Sequence, residues 1–245
     1  MTIYVTGDIH SNPFPRFNTT IFPEQQNLTK DDYVIICGDF GLVWQNDNTE
    51  KYLLNDLQKR NFTTLFVDGN HENFDLLNTY PVETWHGGKV HKIRPNVIHL
   101  MRGQVFDIQG KTFWTFGGAR SHDIQDGILE VGDPRIKWWK KDYTKYFRIN
   151  HVSWWAEEMP NSDEMTEGIA NLEKHYFKVD FIITHTAPAS VIRAMNRTPD
   201  SFENYLQDIM NRTKVDQWFC GHMHPKDNFY FQNVCCMYES MIQII

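Results

Sequence analysis

Seven side chains of metal-ligating type stand at or just after the ends of hydrophobic runs: Asp8, His10, Asp39, Asn70, His185, His222 and His224, with His71 beside Asn70. They occur as Gly7-Asp8-Ile9-His10, Gly38-Asp39, Gly69-Asn70-His71-Glu72, Thr184-His185 and Gly221-His222-Met223-His224. Asp8 and His10 are two apart on what reads as extended chain, so they project to one side and can grip one ion. His222 and His224 repeat that spacing with nitrogen donors. Asn70 offers a neutral amide oxygen from the same turn that carries His71. The donors together suffice for two ions that share a carboxylate, the arrangement of a two-metal hydrolytic centre.

Each motif alone has an ordinary explanation. Asp-x-His also suits a capping aspartate with an incidental histidine, and Gly-Asp marks many turns. Six further histidines, His86, His91, His99, His122, His151 and His175, sit in no comparable context, and most are assigned to surface or core. What favours metal is that five motifs each fall where a strand is expected to end.

Four of those strands are Ile3 to Thr6, Tyr33 to Cys37, Thr63 to Val67 and Phe181 to Thr184, short runs rich in β-branched and aromatic residues. Between the second and third, Asn48 to Arg60 places Tyr52, Leu53, Leu54 and Leu57 at helical spacing, with Asn48 as the expected cap. Strand, helix, strand implies parallel pairing, and open α/β sheets carry their functional groups at the carboxyl ends of strands. Val97 to Leu100, Gln104 to Ile108 and Thr112 to Phe116 read as successive strands of a second sheet, with Gln109-Gly110-Lys111 as a hairpin turn. From about 119 to 179 the chain carries Trp138-Trp139 and Trp154-Trp155, many charges and a helical stretch from Ser162 to His175. That segment is expected as helices and loops near the cleft, with its tryptophans packed against the body. Phe202 to Met210 reads as a helix, Asp216 to Cys220 as a strand, and Phe229 to Phe231 with Val234 to Tyr238 as a closing hairpin. No linker divides residues 1–245, so one domain is expected.

The 245 residues carry 24 Lys and Arg against 31 Asp and Glu, a formal charge of −7. No general basic surface is left to hold long nucleic acid by counterion release, so that partner is disfavoured, although two divalent ions would make the cleft locally attractive to phosphate. Cys37, Cys220, Cys235 and Cys236 have poor spacing for a disulfide framework and read as reduced thiols of a cytoplasmic protein. The start lacks a basic n-region, and no apolar run approaches the ~20 residues of a membrane span. Oligomeric state leaves no mark in the sequence.

In this order, the five motifs resemble the calcineurin-like metallophosphoesterase superfamily, over nearly the whole chain. The resemblance implies an α/β (α+β) fold, a four-layer αββα sandwich of two mixed sheets with helices outside. It implies that Asp8, His10, Asp39 and His224 hold one ion and that Asp39, Asn70, His185 and His222 hold the other. Asp39 would bridge, and His71 would act outside the metal shell on the leaving group. The chain departs from the protein Ser/Thr phosphatase branch: Gly38-Asp39 is followed by Phe40-Gly41 in place of Asp-Arg-Gly, which removes that branch's phosphate-binding arginine. Ser11 also follows His10 where many relatives have Gly.

The expected chemistry is attack on phosphorus by hydroxide bridging two ions, which lower its pKa towards roughly 7, while His71 protonates the leaving alkoxide. Mn, Fe, Zn and Ni all suit the donor set. Arg120, in Gly117-Gly118-Ala119-Arg120-Ser121-His122-Asp123, is a candidate bidentate phosphate donor or a solvated loop arginine. The expected substrate is a small phosphomonoester, phosphodiester or nucleotide. A nuclease acting on short or single-stranded nucleic acid and a non-catalytic metal-binding scaffold are the alternatives.

Overall fold

Alternation with period two divides the side chains of the short apolar runs between two cores, and this sets the layers. In the computed structural model, which describes residues 1–245, β1 (Ile3–Thr6), β2 (Tyr33–Ile36) and β3 (Thr63–Phe66) run parallel. Helix α1 (Asn48–Lys59) crosses between β2 and β3. Its N-cap is Asp47, not Asn48: the Asp47 carboxylate accepts the Glu50 N–H at 2.8 Å. A short helix α2 (Phe74–Leu77) leads to β4 (Val82–Trp85), β5 (Gly88–Arg94) and β6 (Val97–Leu100). Strand β6 runs parallel beside β3, with β5 and β4 following antiparallel.

Val97–Leu100 therefore belongs to the first sheet rather than the second. The boundary falls one strand later than the run of short strands suggests, because the pairing partner of β6 is β3, more than thirty residues away. The second sheet starts with the hairpin of β7 (Gln104–Ile108) and β8 (Lys111–Phe116). Gln109 and Gly110 turn it with positive φ at both positions, as a two-residue hairpin requires. Strand β9 (Gly127–Leu129), helix α3 (Ile136–Trp139) and strand β10 (Phe147–Ile149) follow, and α4 (Ser162–Lys174) leads into β11 (Lys178–Thr184). Helices α5 (Ala189–Ala194) and α6 (Ser201–Arg212) precede β12 (Lys214–Cys220), β13 (Phe229–Phe231) and β14 (Val234–Cys236). The last strand, β15 (Met241–Gln243), returns to pair antiparallel with β1, an addition that a run of only three residues does not announce.

The sheets run β15-β1-β2-β3-β6-β5-β4 and β13-β14-β12-β11-β8-β7. Ile3, Val5, Ile35, Leu65 and Val67 face Phe113, Ile183, Phe219 and Cys235 across the space between the sheets. Tyr4, Val34, Ile36 and Phe66 point the other way, towards Leu54 and Leu57 of α1. On the outer face of the second sheet, Trp114, Phe116 and Trp218 pack on Leu172, Val191, Phe202 and Leu206 of α4, α5 and α6. Three apolar layers between four tiers make the expected αββα sandwich, and each fully buried Leu or Phe contributes about 1.5–3 kcal/mol.

The segment between β8 and β11 is not only helix and loop. Strands β9 and β10 form a separate parallel two-stranded ladder. Its tryptophans divide: Trp155 is buried and donates to Asp75 Oδ2 at 2.7 Å, whereas Trp138 is 65% exposed. All four cysteines are buried and unbridged. No helix is long and apolar enough to cross a membrane.

Candidate metal centre

Because β1, β2 and β3 are parallel, and β11 is parallel to β12, the loops after their carboxyl ends deliver the five motifs to one rim. His224 Nε2 lies 2.7 Å from Asp8 Oδ2 and 3.0 Å from His10 Nε2. His10 also stands 3.7 Å from both Asp8 and Asp39 carboxylate oxygens. These four residues present one ligand atom each, all within 4.8 Å of one another. Separations near 3 Å match neighbouring ligands around one ion whose bonds are about 2.1 Å long.

A second group adjoins it through Asp39. His185 Nε2 is 3.3 Å from Asp39 Oδ1 and 3.1 Å from Asn70 Oδ1, and the His222 ring lies 4.9 Å from that of His185. Asp39 thus offers Oδ2 towards His10 and Oδ1 towards His185. His71 takes no place among these contacts. Its backbone N–H donates to Asp39 Oδ1 at 2.8 Å, while its ring stands edge-on to His10 with centroids 5.5 Å apart.

The local backbone explains the residue types. His10, Ser11, Asp39, His222 and His224 all have positive φ, between 44° and 64°. Such conformations cost non-glycine residues free energy, His and Asp less than most, and they cluster at functional sites. The preceding glycines are fixed by close approach: a Cβ on Gly69 would strike the Asp39 carboxylate, and one on Gly221 that of Asp8. Glu72 stitches two turns together, accepting the N–H groups of Phe40 at 2.8 Å and Gly41 at 3.1 Å. Arg16, buried beneath the first motif, donates to the Asp8 carbonyl at 3.2 Å.

Electrostatics suit cation binding. Burial opposes ionisation of Asp39, yet the His185 imidazolium beside it holds its carboxyl well below the usual range. Burial likewise opposes a charge on His185, but Asp39 and Asp8 raise its pKa to about 10. Asp39 and His185 form one buried ion pair, with the positive charge of His185 3.3 Å from Asp39 Oδ1. Burial lowers the pKa of His10 and, more strongly, that of His222, which keeps these rings neutral with lone pairs free. Carboxylates, neutral imidazoles and an amide oxygen therefore fit divalent transition ions.

The candidate metal-site hollow, about 440 Å³, is bordered by Asp39, Asn70, His222 and His224 together with His71, His122, Asp123 and Arg197. The rings of His122 and His222 lie 4.7 Å apart. Arg120 borders an adjacent hollow of about 560 Å³, shared with Ser121 and His122, rather than the metal-site hollow itself. On the other side, His10 and His71 open onto a hollow of about 510 Å³ with Trp44 and Arg148. Nothing in the sequence singles out Arg197, Arg16 or Glu158, and Ser121 stands out only as a neighbour of Arg120. Arg197 sits in Asn196-Arg197-Thr198-Pro199-Asp200, where only a turn is legible; the others have no local signature.

A family profile described as calcineurin-like phosphoesterase matches residues 1–226. A lariat debranching enzyme of Xenopus laevis is 21% identical over 95% of this chain and 44% of its own length. The human lariat debranching enzyme is 20% identical over 92% of this chain and 42% of its own. The chain thus spans less than half the length of these curated relatives. A solved phosphopantetheinyl hydrolase of Mycobacterium tuberculosis aligns with a TM-score of 0.43 and 14% identity, over 97% of this chain and 88% of that one.

Proposed function

The chain belongs to the calcineurin-like phosphoesterase family, and we propose that it hydrolyses phosphoesters at the rim where the five motifs meet, with two divalent ions bound. The observation that carries this reading is the convergence of Asp8, His10, Asp39 and His224 within 4.8 Å from three distant parts of the chain. In the proposed assignment these four hold one ion, and Asp39, Asn70, His185 and His222 hold the other. Two such ions would offset the charge of the phosphoryl oxygens and supply hydroxide from water near neutral pH.

The chain's own groups do the rest. Asp39 presents one oxygen to each set of ligands. His71, free of the ligand cluster and facing the hollow, gives its proton to the departing oxygen. Arg197 meets a phosphoryl oxygen from the hollow's outer wall. Arg120 reaches a more distant part of the substrate from the neighbouring hollow. The substrate class is a small phosphomonoester, phosphodiester or nucleotide.

One observation favours the diester within that class. His71 borders hollows on two sides of the metal centre, so a phosphate seated there can carry a substituent into each. The curated relatives, named for debranching lariats, keep a nucleic-acid diester in view despite the charge of −7.

The test is a screen of monoesters, diesters, nucleotides and short single-stranded oligonucleotides against protein reconstituted separately with Mn, Fe, Ni, Zn and Co. Metal-dependent turnover that disappears in Asp39→Asn is expected. Protein that holds two ions and turns over nothing in that panel would support the scaffold alternative instead.

A further inference from the structure

We infer that Glu158 is a positioning residue: acting through Ser121, it sets which end of the Asn70 amide faces the metal centre. The inference rests on the reading of Asn70 as a ligand. Asn70, Ser121 and Glu158 are only 5%, 4% and 1% exposed, so protein groups rather than bulk water decide their hydrogen bonds. Glu158 Oε1 accepts the Ser121 backbone N–H at 3.0 Å, and Oε2 accepts the Ser121 hydroxyl at 2.5 Å.

A carboxylate only accepts, so the single hydroxyl proton of Ser121 is committed to Glu158. Ser121 Oγ can then only accept from its other neighbour, and the Asn70 amide nitrogen donates to it at 3.2 Å. With Nδ2 held there, Oδ1 must point to the metal side, where it lies 3.1 Å from His185 Nε2. The orientation matters because an amide oxygen ligates a cation and an amide NH₂ group does not.

Glu158 belongs to the segment between β8 and β11. That segment is anchored near the site by the buried Trp155, by the Arg102 guanidinium donating to the Glu157 carbonyl at 2.7 Å, and by the Ala119 N–H donating to the Glu158 carbonyl at 3.1 Å. It thereby acquires a part in the metal centre without supplying a ligand.

Glu158→Gln tests the direction of the chain of bonds while preserving its shape. The Ser121 N–H can only donate, so the glutamine oxygen must face it, which turns the glutamine NH₂ towards Ser121 Oγ. Ser121 then donates its hydroxyl proton to Asn70, and the amide reverses to present NH₂ to the metals. Metal content after dialysis and calorimetric affinity are the readouts, with thermal unfolding of the metal-free protein as the check on folding. Glu158→Gln should weaken one ion by about 10–100-fold. In an Asn70→Asp background, where both ends are oxygen, the same substitution should change affinity less than about twofold or improve it.

Equal losses in both backgrounds would make Glu158 a structural prop, and no loss in either would remove it from the metal centre; both outcomes overturn the inference. Should Glu158→Gln fail to fold, Ser121→Ala carries the same comparison, with a loss expected beside Asn70 and none beside the aspartate. Wild-type protein unable to retain two ions overturns the inference together with the metal assignment. Metal-loaded protein inert towards phosphoesters sinks only the proposed reaction.

Discussion

His185 donates from Nδ1 to the carbonyl of Cys37 across 2.8 Å, and this one bond decides what its other nitrogen can do. Nε2 is left facing Asp39 and Asn70, the orientation a ligand needs, and the carbonyl holds the ring's tautomer.

Proton release on metal binding follows. In metal-free protein, burial disfavours a charge on His185, but Asp39 and Asp8 prevail and raise its pKa to about 10. An ion must displace that proton, so affinity should rise by roughly tenfold per pH unit below about pH 10. The stability linkage has the opposite sense: the folded pKa lies above the ordinary 6.5, so the His185 contribution to metal-free stability is complete below that value. It is lost as pH rises towards 10. Calorimetry near neutral pH in buffers of different ionisation enthalpy reads the proton directly. Heats that do not depend on the buffer would mean His185 is already neutral.

His71→Ala should lower kcat by about 10²–10⁴ on substrates with poor leaving groups and by far less on nitrophenyl esters, whose leaving group needs no proton. Metal content should stay unchanged, since the ring only borders the ligands. Equal losses on both substrate types would remove the acid role.

Arg197 is exposed and pairs with no carboxylate, so its loss should leave folding within about 0.5 kcal/mol of wild type. Arg197→Ala should reduce kcat/KM by about 10–100-fold, the worth of a charge-assisted hydrogen bond to phosphate. Arg120→Ala, altering the neighbouring hollow, should cost less on the smallest substrates. Steady-state kinetics on a nitrophenyl ester and a nucleotide compare the two; a larger effect for Arg120 on both would reverse the assignment.

Arg102→Ala should destabilise the fold by about 3–5 kcal/mol, because it strands the buried Asp68 carboxylate. Arg102 Nη2 lies 2.6 Å from Asp68 Oδ2, and His99 Nε2 lies 3.0 Å from Oδ1. Burial raises the Asp68 pKa, but Arg102 outweighs it and holds the group well below its ordinary 3.8. The contribution of Asp68 is therefore present above that value and lost as pH falls through the folded pKa. Urea unfolding of metal-free protein should show wild-type stability that is flat for Asp68 above about pH 4 and falls progressively as pH is lowered further. If that fall persists unchanged in Arg102→Ala, the pair is not its source.

The residues that converge at the rim, the parallel order of β1 to β3 and the two-sheet plan were legible because local rules specify them. Period-two alternation assigns faces, β-strands end in polar turns, and glycines stand before the candidate ligands Asp8, Asp39, Asn70 and His222 where no Cβ fits. The resemblance then gave those residues an order and a family. Only the tertiary structure decided that Val97–Leu100 joins the first sheet, that β15 closes back on β1, and that Arg197 rather than Arg120 borders the metal-site hollow. These depend on which distant segments meet, and strand pairing carries no sequence label when several partners are equally apolar. The link from Glu158 through Ser121 to Asn70 was hidden for the same reason. It joins residues 37 and 51 positions apart, and its content lies in the direction of two hydrogen bonds, which no spacing encodes.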